Sequence, residues 1–140
     1  MSARSKARKA ALDLLYEADI RGTNAVKTLA LRDVDEEGPE VRPIREYTRE
    51  LVIGVGNNYR KIDELITTYA QGWDMDRLPA VDRNILRIGI FEILWATSIP
   101  DGVAIDEALV LAKELSTDSS AGFIHGVLGR ISSIKESLAI

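Results

Sequence analysis

The amino-acid sequence predicts an all-α fold, and three observations support this prediction. Apolar residues recur at the three- and four-residue spacing of amphipathic helices in seven successive segments. No stretch shows the sustained alternation of apolar and polar residues, bounded by hairpin turns, that half-buried strands require. One segment, residues 79–97, is apolar on nearly all sides, which is typical of a helix that other helices cover. We therefore expect about seven helices in two small bundles that share this central helix.

The first two helices are indicated by their apolar spacing and by the glycine between them. The first is expected from Ala3 to about Arg21, with Gly22 as its stop signal. A second, shorter helix is expected over Asn24–Arg32. The stretch Asp33–Pro43 then loses all periodicity and collects acidic residues, glycine and proline, so it predicts a solvated acidic loop.

Glycine, proline and capping residues separate the remaining five predicted helices. Apolar positions over residues 47–55 and 62–69 predict the third and fourth helices, and Gly72 ends this pair. Gly54, Gly56, Asn57 and Asn58 are expected to disturb the join between them. The central fifth helix starts at Pro79, and a sixth covers residues 105–115 after a break at 100–102. The seventh follows the N-capping residues 116–120, and together these segments make one domain of 140 residues.

Composition excludes several classes of protein. Apolar residues make up 46% and charged residues 29% of the chain, as in average globular domains. The absence of cysteine excludes a disulfide framework, an iron-sulfur cluster and thiol catalysis, and a single histidine, His125, excludes a multi-histidine metal site. No apolar run reaches the length of a membrane span, because Arg87 and Glu92 interrupt residues 85–96. We expect a cytoplasmic protein without a metal or other cofactor.

The net charge of −4 conceals an uneven distribution. Five acidic residues fall within residues 33–40, and the rest of the chain carries about one positive charge. By contrast, the first nine residues contain four cations and no acidic residue, namely Arg4, Lys6, Arg8 and Lys9. A basic N-terminal helix beside a nearly neutral body indicates a surface for anions.

Catalytic motifs are weak in this sequence. Asp106 and Glu107 occupy consecutive positions on a helix, so their side chains diverge by about 100° and do not form an acid-base pair. The segment Gly54–Gly56 resembles part of a dinucleotide-binding loop but lacks its third glycine and the preceding strand. No nucleophile, base and anion-stabilising group come together, so we expect a protein that is not an enzyme.

The basic helix combines the two elements that binding of single-stranded RNA needs. Tyr16 follows Lys9 by two helical turns and therefore lies on the same face. Cations hold phosphates, and an aromatic ring stacks on a base. The start of the seventh helix offers a second site for phosphate, with Phe123 one turn inside as either a stacking or a core residue.

Motifs spread along nearly the whole chain resemble the bacterial transcription antitermination factors of the NusB family. The matching segments are Ala7–Tyr16, Val81–Ile93, Ile99–Pro100, Val103–Ala108, Leu111–Lys113, Asp118–Ser120 and Phe123–Leu128. The resemblance implies two three-helix bundles about a long central helix. It also implies that the protein binds boxA-type single-stranded leader RNA together with the ribosomal protein NusE. This complex joins RNA polymerase and supports transcription of ribosomal RNA.

The same resemblance assigns individual residues to these partners. It implies RNA contacts for the basic helix and for residues near the fourth and seventh helices: Arg4, Arg8, Lys9, Tyr16, Tyr69, Asp118 and Phe123. Lys6 joins this set as a member of the same basic cluster. For NusE it implies contacts at the start of the fifth helix, with Asp76, Asp82 and Arg87 as candidates. His125 and Gly129 depart from the asparagine and aspartate that the family usually shows.

Two alternatives to this interpretation remain open. The chain could be a homodimeric helical scaffold that hides the basic face, which sedimentation with and without boxA RNA would reveal. It could also be the NusB-like RNA-binding domain that precedes some ribosomal RNA methyltransferases. A chain of 140 residues leaves no room for the α/β domain of such an enzyme, so we expect the antitermination role.

Overall fold

Seven α-helices contain most of the residues that the computed structural model describes, which are residues 2–35 and 43–138. The helices are α1 (Ala3–Arg21), α2 (Ala25–Asp35), α3 (Glu46–Asn57), α4 (Tyr59–Tyr69), α5 (Ala80–Leu94), α6 (Asp101–Leu115) and α7 (Asp118–Ile134). Two short 3-10 segments cover Met75–Arg77 and Lys135–Ser137. Within the described ranges no strand occurs, and the prediction of an all-α fold with seven helices is confirmed.

The chain divides into two compact units, of which the first spans Met1–Asn57. Here α1, α2 and α3 contact one another pairwise. Their buried apolar residues follow the predicted spacing: Ala7, Ala11, Leu14, Leu15, Ala18, Leu29, Leu51, Val52 and Val55. Gly22 ends α1 in the left-handed conformation, with a φ of 66°, as the stop signal predicted.

The helix boundaries of this unit differ from the prediction at two places. The loop was expected from Asp33, but α2 continues to Asp35, and Arg32 near its end forms an ion pair with Glu17 of α1 at 2.5 Å. The rest of the predicted acidic loop up to residue 42 lies outside the described residues. Gly56 does not break α3; a Cβ atom there would lie 2.6 Å from the Val26 side chain, so this glycine permits a close approach to α2.

The second unit spans Asn58–Ile140 and contains the central apolar helix. Helices α4, α6 and α7 all contact α5. The buried apolar residues of α5 lie on several sides of the helix, as expected for a helix that is apolar nearly all round: Ile85, Leu86, Ile88, Ile90 and Ile93. Among the described helices, none is long and apolar enough to cross a membrane.

The caps of this unit explain where its helices begin. Pro79 and Pro100 are the N-caps of α5 and α6, so α6 already starts at Asp101, inside the segment 100–102 that was expected to break the chain. Thr117 caps α7, and its hydroxyl accepts a hydrogen bond from the Ser120 amide at 3.1 Å. The join between α3 and α4 is limited to Asn58.

A charged contact fastens the beginning of α6 to the end of α7. The Asp101 carboxylate accepts hydrogen bonds from the Ser132 hydroxyl at 2.7 Å and from the Lys135 ammonium at 2.8 Å. Burial raises the pKa of Asp101, but the hydrogen bonds from Lys135 and Ser132 and the Lys135 charge outweigh it and hold the pKa below 3.8. A carboxylate with a lowered pKa in the folded state stabilises the fold above the unfolded pKa and loses this effect in acid.

We expect Asp101→Asn to lower the free energy of unfolding at pH 7 by about 1 kcal/mol, since the contact is partly exposed. The difference from the parent protein should shrink as the pH falls through about 4 and vanish below the folded pKa. Melting temperatures between pH 7 and pH 3 measure it, with Asp106→Asn on the exposed side of α6 as the control. A difference that persists unchanged at pH 3 would contradict this assignment.

Candidate nucleic-acid interface

The basic residues predicted to contact RNA lie on the first turns of α1 in the first unit. The helix begins at the Ser2 hydroxyl, which accepts a hydrogen bond from the Ser5 amide at 3.0 Å. No acidic residue lies in its first turn, so the positive end of the helix dipole and the cations add to one another. Arg4 and Lys6 are exposed, and Lys9 is half-buried. These three residues form a basic turn whose positive charge suits phosphate groups.

Arg8 differs from its neighbours because its side chain is buried. Only 3% of the residue is exposed, and its guanidinium lies 5.6 Å from the centroid of the Tyr47 ring of α3. The RNA contact of Arg8 stays a prediction; in this structure α3 covers its side chain, whereas Arg4 and Lys6 are exposed. Its position on α1, one residue after the core residue Ala7, places it against α3.

Tyr16, which the spacing placed on the same face of α1 as Lys9, has an exposed side chain. The residue is 39% exposed, although the neighbouring Leu14 and Leu15 are buried. A ring at the surface of a basic helix can stack on an unpaired base.

The second unit has an open groove of about 490 Å³ between the end of α4 and one face of α7. Residues that line it include Tyr69, Gln71, Gly122, Phe123, Gly126 and Arg130. Tyr69 and Phe123, which lie 54 positions apart in the sequence, therefore line the same groove. Phe123 is half-buried, so part of the residue is covered by its neighbours and part is open to the groove.

The groove has the shape and chemistry of a site for a flat aromatic ligand with a negative charge. Trp73 is 49% exposed and contacts Phe123, with 6.2 Å between ring centroids and 58° between ring planes. At Gly122 and Gly126 no atom lies within 4 Å of where a Cβ would stand, so the floor is open. Arg130 is exposed and follows Phe123 by two helical turns, which places a cation on the same face.

The N-terminus of α7 is held by a buried carboxylate from α5. Asp82, with 3% of the residue exposed, accepts hydrogen bonds from the hydroxyls of Ser116 and Ser120, both at 2.7 Å. Asp118 in the first turn of α7 is exposed, so its carboxylate is free of the core and can accept hydrogen bonds from base amino groups. Asp82 thus fixes the turn that presents Asp118.

This geometry corrects the assignment of Asp82 to a protein partner. The expectation was that a charge on so apolar a helix must reach the solvent or a partner, because burying it unpaired is costly. Two serine hydroxyls satisfy the carboxylate inside the second unit instead. We therefore assign Asp82 a structural role.

The same correction applies to Arg87. Its guanidinium donates to both carboxylate oxygens of Asp63 in α4, at 2.8 and 2.9 Å, and also to the side-chain oxygen of Asn84 at 2.9 Å. This two-pronged contact joins α5 to α4 and leaves little of the cation for another protein. Of the three residues predicted to contact NusE, Asp76 is exposed, in the 3-10 segment after α4.

Several residues of these surfaces escaped the sequence reasoning. Gly126 and Arg130 follow Phe123 by three and seven residues. This helical spacing could have indicated that they lie on the same face of α7 as Phe123. The exposure of Trp73 and the contact of Tyr47 with the basic helix have no such local signal, because their partners are distant in the sequence. His125, where the sequence departs from the family, is exposed.

Comparisons with known proteins extend over nearly the whole chain. The NusB family model matches residues 5–133. A transcription antitermination protein NusB from Nocardioides sp. is 50% identical over 139 residues, covering 99% of this chain and 100% of that protein. The structure of T. maritima NusB matches with a TM-score of 0.80 and 31% identity, covering 95% of this chain and 92% of that chain. A crystal structure of the antitermination factors NusB and NusE in complex with double-stranded RNA matches with a TM-score of 0.77 and 29% identity, covering 93% and 96%.

Proposed function

Because the chain belongs to the NusB family of transcription antitermination proteins, we propose that it binds boxA-type leader RNA and the ribosomal protein NusE at the same time. By holding both, it supports transcription of ribosomal RNA as part of the antitermination complex of RNA polymerase. The family is non-enzymatic, so the protein acts through binding alone.

The observation that carries this proposal is the open groove of the second unit. It combines two aromatic residues, Tyr69 and Phe123, with an exposed cation, Arg130. Stacking on rings and neutralisation of phosphates are the two contributions that proteins use to hold unpaired nucleotides. The basic turn of α1, formed by Arg4, Lys6 and Lys9, supplies further cations for the RNA backbone.

The groove favours single-stranded RNA over a duplex. Bases in an A-form helix are stacked on one another and cannot insert between aromatic side chains, whereas unpaired bases can. The related NusB chain was crystallised with NusE and double-stranded RNA. A comparison of both RNA forms on this protein therefore tests which of them its surface accepts.

A protein partner raises the effective affinity of such a modest RNA surface. When NusE and this protein each contact one RNA molecule, the second contact becomes nearly intramolecular. Asp76, on the exposed 3-10 segment after α4, is the residue that we propose for the NusE contact.

The test is assembly of the ternary complex from purified components. Sedimentation or gel filtration should show a complex of this protein, NusE and a boxA oligonucleotide, with RNA affinity at least about tenfold higher than without NusE. A scrambled oligonucleotide of equal length and a boxA duplex are the matched controls. No ternary complex, or equal binding of all three RNAs, would refute the proposal.

RNA binding should also depend strongly on salt. If Arg4, Lys6 and Lys9 neutralise about three phosphates, the logarithm of the binding constant should fall with a slope of about −2 against the logarithm of the salt concentration. Fluorescence anisotropy at several salt concentrations measures this slope. A binding constant that is the same at low and moderate salt would exclude phosphate contacts by the basic turn.

A further inference from the structure

One aromatic ring in the first unit contacts two cations of the basic helix. The guanidinium of Arg4 lies 5.2 Å from the centroid of the Tyr47 ring, and that of Arg8 lies 5.6 Å from the same centroid. Both distances are within the roughly 6 Å at which a cation over the face of an aromatic ring is attracted to it. Tyr47 therefore connects an exposed arginine with a buried one.

The backbone around Tyr47 is fixed to the same part of α1. The next residue, Thr48, is fully buried, and its hydroxyl donates to the carbonyl oxygen of Ala7 at 3.0 Å. Ala7 immediately precedes Arg8. The first turn of α3 thus contacts α1 through a hydrogen bond and through a ring, at adjacent positions of α1.

Arg4 and Arg8 are like charges one helical turn apart, and they repel each other weakly. The π electrons of the Tyr47 ring provide negative charge density near both guanidinium groups. The buried Arg8 is packed in place, whereas Arg4 keeps an exposed surface. Arg4 is consequently held in a restricted set of orientations, which lowers the entropy that it loses when it binds a phosphate.

We propose that Tyr47 is a positioning residue for RNA binding, acting through Arg4 with Arg8 as the fixed second cation. This proposal rests on the proposed function, in which the basic turn contacts RNA phosphates. Tyr47 itself does not touch the RNA in this scheme. Its ring sets where the Arg4 charge stands.

The experiment measures RNA affinity and its salt dependence for Arg4→Ala, Tyr47→Leu and Tyr47→Phe. Tyr47→Leu should weaken binding about three- to tenfold, and Tyr47→Phe, which keeps the ring, should stay within about twofold of the parent protein. The matched control is Tyr59→Leu, because Tyr59 in α4 also has an arginine, Arg60, near its ring at 5.8 Å. That control should leave RNA affinity unchanged.

A double-mutant cycle distinguishes positioning from a merely structural role. If Tyr47 acts through Arg4, Tyr47→Leu should have little further effect once Arg4 is alanine, and the two losses should not add. Unchanged circular dichroism and melting temperature show that each variant folds. If Tyr47→Leu does not fold, Tyr47→Met, which adapts to an irregular space, takes its place with the same expected result.

The possible results separate this proposal from the proposed function. If Arg4→Ala weakens RNA binding but Tyr47→Leu does not, or if their effects add fully, the positioning role is wrong while the RNA surface stands. If Arg4→Ala has no effect on RNA affinity, the basic turn does not bind RNA. The positioning role of Tyr47 and the proposed RNA contact of α1 are then both wrong. Failure of Tyr47→Phe to retain affinity would also overturn the role of the ring.

Discussion

Replacing Asp82 with lysine is expected to lower the free energy of unfolding by about 3–5 kcal/mol, enough to unfold a marginally stable unit. The change removes the acceptor for the hydroxyls of Ser116 and Ser120 and places a cation among buried side chains. A buried unpaired charge costs free energy, and the two hydroxyls lose their charged acceptor. Urea denaturation followed by circular dichroism measures the loss.

Two further variants show whether a loss of stability comes from the burial of Asp82. Asp76→Lys makes the same charge change at an exposed position, so its stability should stay within about 0.5 kcal/mol of the parent protein. Asp82→Asn keeps one acceptor oxygen and should destabilise less than lysine. If Asp82→Lys is as stable as the parent protein and instead loses NusE binding, the carboxylate belongs to the partner surface after all. The Asp76 variant should show that NusE loss if our assignment is right.

Phe123→Ala is expected to weaken RNA binding by about 1–3 kcal/mol, the usual contribution of one stacked base. The ring lines the groove beside Tyr69 and supports the exposed Trp73, so its loss removes one stacking surface and loosens another. Anisotropy titration with a single-stranded boxA oligonucleotide measures the effect. Gly126→Leu should act in the same direction, because it fills open space in the groove while the ring remains.

Phe91→Ala is the matched control for this experiment. Phe91 and Trp95 of the second unit form a comparable aromatic pair, with 6.2 Å between centroids and 21° between planes, but neither lines the groove. The control should lose stability without losing RNA affinity. A folded Phe123→Ala protein that binds RNA as tightly as the parent would show that this ring is only a core residue and would remove the groove from the RNA surface.

The helices themselves were largely readable from the sequence. A period of three to four apolar residues, a glycine in the left-handed conformation at position 22 and capping residues before α7 are local features. Two boundaries differ from the prediction: α2 continues to Asp35, and α6 begins at Asp101 directly after its cap Pro100. The sequence also did not show that Arg32 near the end of α2 pairs with Glu17 of α1. Periodicity contains no information about such a partner.

For the candidate site too, the sequence predicted some features and not others. Motifs along the chain identified the family, and helical spacing placed Tyr16 on the face of α1 that carries Lys9, but only the structure showed that its ring is exposed. Which charges face outward was beyond this reasoning. Arg8 and Arg4 are one turn apart and look alike in the sequence, yet one is buried against α3 and the other is exposed.

The sequence by itself thus determined the seven helices, their main caps and the family, because each depends on residues that are near neighbours or on motifs. Only the tertiary structure shows that Asp82 and Arg87 have partners inside the second unit and that the Tyr47 ring lies near Arg4 and Arg8. Asp82 finds its hydroxyl partners 34 and 38 residues away, and Arg87 finds Asp63 at a separation of 24. Whether a charged group is satisfied internally or left for a partner depends on such distant atoms, and their positions exist only once the helices have packed.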